Sequence, residues 1–146
     1  MAVIHDSAVR DSIEARLSKL RPDSKGVWGR MTVDQMLWHV NQALSAAVGR
    51  TTIPPKAVPI PRGLIRFAVL NLPWTRNAPT SDAFVARANH DFDAERARCL
   101  ELIAELTAKP IAHATQVHPT FGAMTGPQVS RLQAKHLDHH LRQFGV

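Results

Sequence analysis

The chain ends on KHLDHHLRQFGV, which places His136, His139 and His140 within a turn and a half of helix. Neutral imidazoles bind transition metals and move protons near neutral pH. His136 and His140 stand four residues apart, a spacing that sets two ring nitrogens over one spot, as two-point metal binding requires. The same pair also suits a core in which each ring bonds a backbone group, and spacing alone leaves both readings open. An expression tag is excluded, because Leu137 and Asp138 interrupt the run and the segment is amphipathic.

The helix carrying this pair is predicted over 126–143. Thr125 and Gln128 have the Thr-x-x-Gln spacing of a capping box, and Pro127 falls in the first turn, where a missing N–H costs nothing. At about 100° per residue, Val129, Leu132, Leu137, Leu141 and Phe144 form the buried stripe. His136 and His140 lie inside that stripe, roughly 40° apart, and Gln133 joins them as a pocket-lining candidate. His139 falls on the flank, and Asp138 points away. A third ligand must come from another element, and His39 in MLWHVNQ is the natural donor. Its position is at the border of its helix's apolar face, beside Met36 and Ala43.

Three other long helical patterns surround this one. Val9, Ile13, Leu17 and Leu20 predict a helix over 6–20, with Asp6 or Ser7 as its cap and Pro22 beyond its end. A second Thr-x-x-Gln box, Thr32 to Gln35, opens a helix over 33–48, stopped by Gly49. The proline-rich RTTIPPKAVPIPRG then forms a long extended connector to GLIRFAVLNLPW (63–74), read as a short helix or lid. A further helical pattern begins near Asp82 and is strongest over 91–108, with Phe92, Ala97, Leu100, Ile103, Ala104 and Leu106 as its apolar positions. HATQVHPTFGAM is expected to be irregular or briefly extended. The fold class is all-α: one domain over 1–146, a four-helix bundle with a long crossover and an inserted short helix.

Composition narrows the function classes. The 146 residues are 45% hydrophobic and 21% charged, the balance of a globular chain. Cys99 is the single cysteine, so no disulfide can form within the chain. No secretory signal pattern opens the sequence, and the longest apolar run carries Arg66 and is too short to span a bilayer; the expectation is a cytoplasmic protein with no membrane partner. The net charge of +6 is scattered rather than clustered, and there is no Tyr to build a stacking platform, so no nucleic-acid partner is expected.

Two stretches, WGRMTVDQMLWHVNQAL and HPTFGAMTGPQVSRLQAKHLDHHLRQFG, together resemble the DinB-like (YfiT-like) superfamily of four-helix-bundle metalloproteins, closest to a short subgroup ending in a His-rich helix. The likeness is carried by both ends of the chain and leaves about 50 to 110 unaligned. It implies a metal on three histidines, His39 from the second helix with His136 and His140 from the last. It also implies a divalent ion, zinc or nickel first and iron or manganese as alternatives. The chemistry implied is that of a metal-dependent enzyme on a small-molecule substrate: a hydrolase or a low-molecular-weight thiol S-transferase. The alternatives are a non-catalytic bundle with a buried histidine network, and a self-association module that forms a homodimer through GLIRFAVLNLPW.

Among the remaining residues, His118 is a candidate general base or a loop-capping group. His139 is expected to face solvent or to orient a ligand, Asp34 to mark a helix start, and Asp138 to lie on a solvated face. Trp28, Trp38, Met31, Met36 and Met124 are expected to pack.

Overall fold

In the computed structural model, which describes residues 1–146, Asp6 accepts the Ala8 N–H at 2.9 Å and so opens α1 (Ser7–Lys19). At the head of α2 (Val33–Ala47), Gln35 Oε1 accepts the Thr32 N–H at 3.1 Å, the reciprocal arm of a capping box. Gly49, at φ 85°, turns the chain out of that helix in a conformation glycine adopts without steric cost. The crossover leads to α3 (Arg62–Asn71), then to a single 3₁₀ turn at Asp82–Phe84, then to α4 (Phe92–Ala108). Asp91 caps α4 by accepting the Ala94 N–H at 2.8 Å. A short hairpin follows, β1 (Gln116–His118) against β2 (Gly122–Met124), paired antiparallel with Val117 opposite Ala123. The last helix is α5 (Gly126–Gln143), where Gln128 Oε1 accepts the Thr125 N–H at 3.0 Å.

The all-α expectation holds, with α1, α2, α4 and α5 as the long helices and α3 as the short insert. The segment expected to be irregular or briefly extended forms the hairpin, and α3 stops at Asn71 rather than running on to Trp74. Pro73 explains that stop, since the residue before a proline is pushed out of the helical region.

α2 packs most extensively on α4, and α5 closes against α1 and α2. Leu37, Val40 and Leu44 of α2 meet in one core with Leu102, Ile103 and Leu106 of α4 and Val129, Leu137 and Leu141 of α5, all nearly free of solvent contact. Each such side chain contributes about 1.5–3 kcal/mol relative to an exposed one. The buried face of α4 differs from the expected one. It runs through Phe92, Cys99, Leu102, Ile103 and Leu106, while Leu100 is 37% exposed and Ala97 and Ala104 face outward. The sequence offered two overlapping helical stripes, and the steps from 92 to 99 and from 99 to 106 follow the heptad that α2 covers.

Gly126 fixes how α5 begins. A Cβ built there would overlap the carbonyl of Ile111, in the 3₁₀ turn at Ile111–His113 that packs under the helix start. Because the obstacle is backbone, it cannot rotate away. Gly126→Ala is expected to cost about 1–3 kcal/mol by overpacking, read as a lowered urea midpoint. An unchanged midpoint would show that the turn yields freely.

Candidate metal centre

His39 projects from the middle of α2, and His136 and His140 project from adjacent turns of α5 where the two helices face each other. One ligand-capable nitrogen from each ring lies within 4.8 Å of the others. The Nε2 atoms of His39 and His136 stand 2.9 Å apart. The border position expected for His39 is buried, only 6% exposed, because the 3₁₀ turn at Asp82–Phe84 covers that flank of α2.

Two of the rings have their proton positions fixed by neighbours. The carbonyl of Phe84 lies 2.6 Å from His39 Nδ1 and can only accept, so Nδ1 carries the hydrogen and Nε2 keeps a free lone pair. At His140 the partner is Gln143. Its Nε2 donates to the Trp28 carbonyl at 3.0 Å, which turns its Oε1 towards His140 Nδ1 at 2.7 Å. His140 Nδ1 therefore donates, and its Nε2 is also bare. Gly29 makes room for this amide: a Cβ there would collide with Gln143 Nε2. Such outer partners set the tautomer and orientation of ligating histidines. Gln143→Leu removes the hold on His140 while leaving all three rings, and is expected to weaken zinc binding about 10–100-fold in a competition titration. Affinity equal to the parent's would mean that the amide is only a helix-end contact.

The rings are held neutral. Burial pushes His140 down to about 3, with the charge of nearby His39 adding to it. Burial likewise puts His136 well below the usual histidine value, with His140 and His39 reinforcing it. His39 is lowered by burial too, partly offset by its bond to Phe84. Neutral imidazole is the form that binds metal.

A divalent ion fits this donor set. Two nitrogens bound tetrahedrally at about 2.05 Å would lie about 3.3 Å apart, close to the observed His39–His136 spacing. All three nitrogens lie within 4.8 Å of one another, and two nitrogens sharing an ion at 2.1 Å can stand at most about 4.2 Å apart. A second observation concerns Gln133, one turn before His136: it is 2% exposed, and its Oε1 has no hydrogen-bond partner. A buried orphan acceptor of this kind is uncommon and fits a donor supplied from outside the chain.

Aromatic rings wall the centre. Phe84 stands edge-on to His39, and Trp74 lies 5.8 Å from His136 and 5.5 Å from His139. His139 is only partly exposed, wedged between Trp74 and Trp28, which replaces the solvent-facing expectation. His118 caps its own loop: Nδ1 accepts the N–H groups of Thr120 and Phe121 at 3.1 and 3.2 Å, and the ring stacks on Phe121. Burial, with Arg62 nearby, lowers it to about 4. With Nδ1 accepting, Nε2 carries the hydrogen, so the ring takes the loop-capping arrangement named beside the general-base one and presents a donor.

Other expectations resolve more simply. Asp138 is no free solvated carboxylate, since Arg16 and Arg142 hold it at 2.8 and 2.6 Å. Asp34 accepts the His90 N–H at 2.7 Å, and Trp38 stacks on the His90 ring. Met36 and Met124 are buried, and Met31 packs against the core. Phe84 and Gln143 were missed as functional residues. Gln143 was legible, three residues after His140 on the same face; Phe84 acts through a backbone carbonyl that leaves no mark in sequence.

A helical bundle with three histidines from two facing helices is thus the frame of the site. The chain belongs to the DinB superfamily, whose family model matches residues 7–144 and so spans all five helices and the whole histidine cluster. No curated protein and no solved structure matched the chain. The three histidines could hold a metal ion.

Proposed function

We propose that the protein is a metal-dependent enzyme that uses His39, His136 and His140 to hold one divalent ion, zinc or nickel first, and activates a low-molecular-weight thiol for transfer to a small electrophile. The observation that carries this reading is the pair of fixed tautomers, which bares Nε2 on His39 and His140 beside the Nε2 of His136. An ion bound there would stabilise a thiolate, or lower the pKa of water, in its open positions. The chain supplies three neutral ligands, so a buried dication would lack a countercharge, and an anionic group of the substrate would offset that cost. Trp74 and Phe84 place aromatic rings on two sides of the cluster. His118, arranged as a donor, suits hydrogen bonding to the electrophile better than proton abstraction from water, which ranks thiol transfer above hydrolysis.

The test measures metal-dependent consumption of a small thiol with a model electrophile, run beside hydrolysis of an activated ester. Thiol turnover that appears with zinc or nickel and vanishes with chelator is expected. Ester turnover alone would favour the hydrolase. A non-catalytic bundle is the second reading, because 2.9 Å between Nε2 atoms is also an ordinary N–H···N hydrogen bond. That reading requires folding and stability indifferent to metal and chelator alike.

A further inference from the structure

Helix α3 presents the wrong face to water. Its two arginines lie inward on the hairpin: Arg62 donates to the carbonyls of Pro119 and Lys56 at 2.9 and 3.2 Å, and Arg66 to those of Phe121 and Ala123 at 3.1 and 2.7 Å. With the arginines engaged, Leu64 and Phe67 are each 59% exposed, flanked by Ile60 at 49% and Leu72 at 53%. A contiguous apolar strip of this kind marks a contact surface.

Charge around the strip is one-sided. No Asp or Glu occurs between Asp34 and Asp82, or between Glu105 and Asp138. Those two stretches build the crossover, α3, the hairpin and the part of α5 on which α3 packs. Lys56 is exposed beside the N-terminal end of the strip. At the other end, Arg131 donates to Asn71 Oδ1 at 3.1 Å, and a cleft of about 270 Å³ joins Leu70 and Leu72 to Arg131 and Lys135. Asp91, Asp93, Glu95, Glu101 and Glu105 lie on or at the start of α4, which packs on α2 instead.

We propose that α3 and its flanking cations dock this protein on the surface of an anionic lipid bilayer. Apolar side chains on a short helix enter the acyl boundary, while neighbouring Lys and Arg meet anionic headgroups. A second copy fits less well, because a twofold contact through this strip would bring the same cations face to face. The helix lies on the surface, since no helix here is long and apolar enough to cross a membrane. The expectation of no membrane partner rested on the lack of a span, which surface docking does not need.

Flotation of the full chain with vesicles tests this, comparing phosphatidylglycerol mixed into phosphatidylcholine with phosphatidylcholine alone. Binding is expected to the mixed vesicles only, and to fall as salt is raised. Leu64→Ser/Phe67→Ser should abolish it, with helical content and thermal midpoint retained because both residues face water. Lys56→Glu should weaken it without touching the apolar strip. Absence of binding to mixed vesicles overturns the proposal, as does binding undiminished in the double variant. A concentration-dependent dimer in sedimentation that the double variant abolishes would assign the face to a second copy and overturn it equally.

Discussion

His136→Ala is expected to leave the purified, tag-free protein without stoichiometric zinc or nickel, whereas the parent chain is expected to show close to one ion per chain in elemental analysis. His136 forms one corner of a nearly equilateral cluster, with its ring 4.9 Å from that of His39 and 4.8 Å from that of His140, and those two 4.7 Å from each other. Its loss leaves two ligands and no way to close a three-nitrogen site. The drop in affinity should exceed the roughly 10–100-fold typical of losing an outer hydrogen-bond partner. His39→Ala and His140→Ala should behave alike, and His139→Ala should not. The fold should survive the change, because His136 lies outside the hydrophobic cluster. A parent protein that takes up no metal when zinc or nickel is added would refute the centre itself.

Ion-free protein should lose stability steeply as pH falls below about 6.5. The sign follows from the depressed histidines. Unfolded, each ring takes up a proton near its ordinary value of 6.5; folded, His140 stays neutral to about 3 and His118 to about 4, with His136 also well below normal. Between those limits the unfolded chain binds more protons, so acid favours unfolding, and above 6.5 the contribution is flat. Each such ring adds a slope of about 1.4 kcal/mol per pH unit. Three together approach about 4 kcal/mol per unit, against a typical total stability of about 5–15 kcal/mol. Urea midpoints at pH 7.5, 6.5, 5.5 and 5.0 give the slope directly, and His140→Phe should reduce it by about one ring's share. Zinc at 100 times its dissociation constant should add about 2.7 kcal/mol at pH 7.5. A midpoint level from pH 7.5 to 5.0 would mean that these rings are open to water when folded.

Much of this architecture could be read from the chain because its punctuation is local. The two Thr-x-x-Gln boxes set the starts of α2 and α5 at Val33 and Gly126, and both were predicted within a residue. His136 and His140 could be paired because one helix holds both. The convergence of His39 could not be derived from its own helix, where the periodicity put it at a border; its burial comes from the turn at Asp82–Phe84, which is distant in sequence. The same reason explains α4, where the choice between Leu100 and Leu102 depends on which stripe α2 covers. The segment that forms the hairpin was expected to be irregular or briefly extended; its pairing was not legible, because strands of three residues each are below the length at which alternation can register.

The bond from His39 Nδ1 to the Phe84 carbonyl has a further consequence for how this protein tolerates mutation. A main-chain oxygen belongs to every residue type, so the instruction that aims His39 is stored in the path of the backbone, and genetic drift at codon 84 cannot erase it while that path is kept. Phe84→Leu should therefore leave the aim of the ring intact, whereas a one-residue deletion in the 75–81 loop should swing it away.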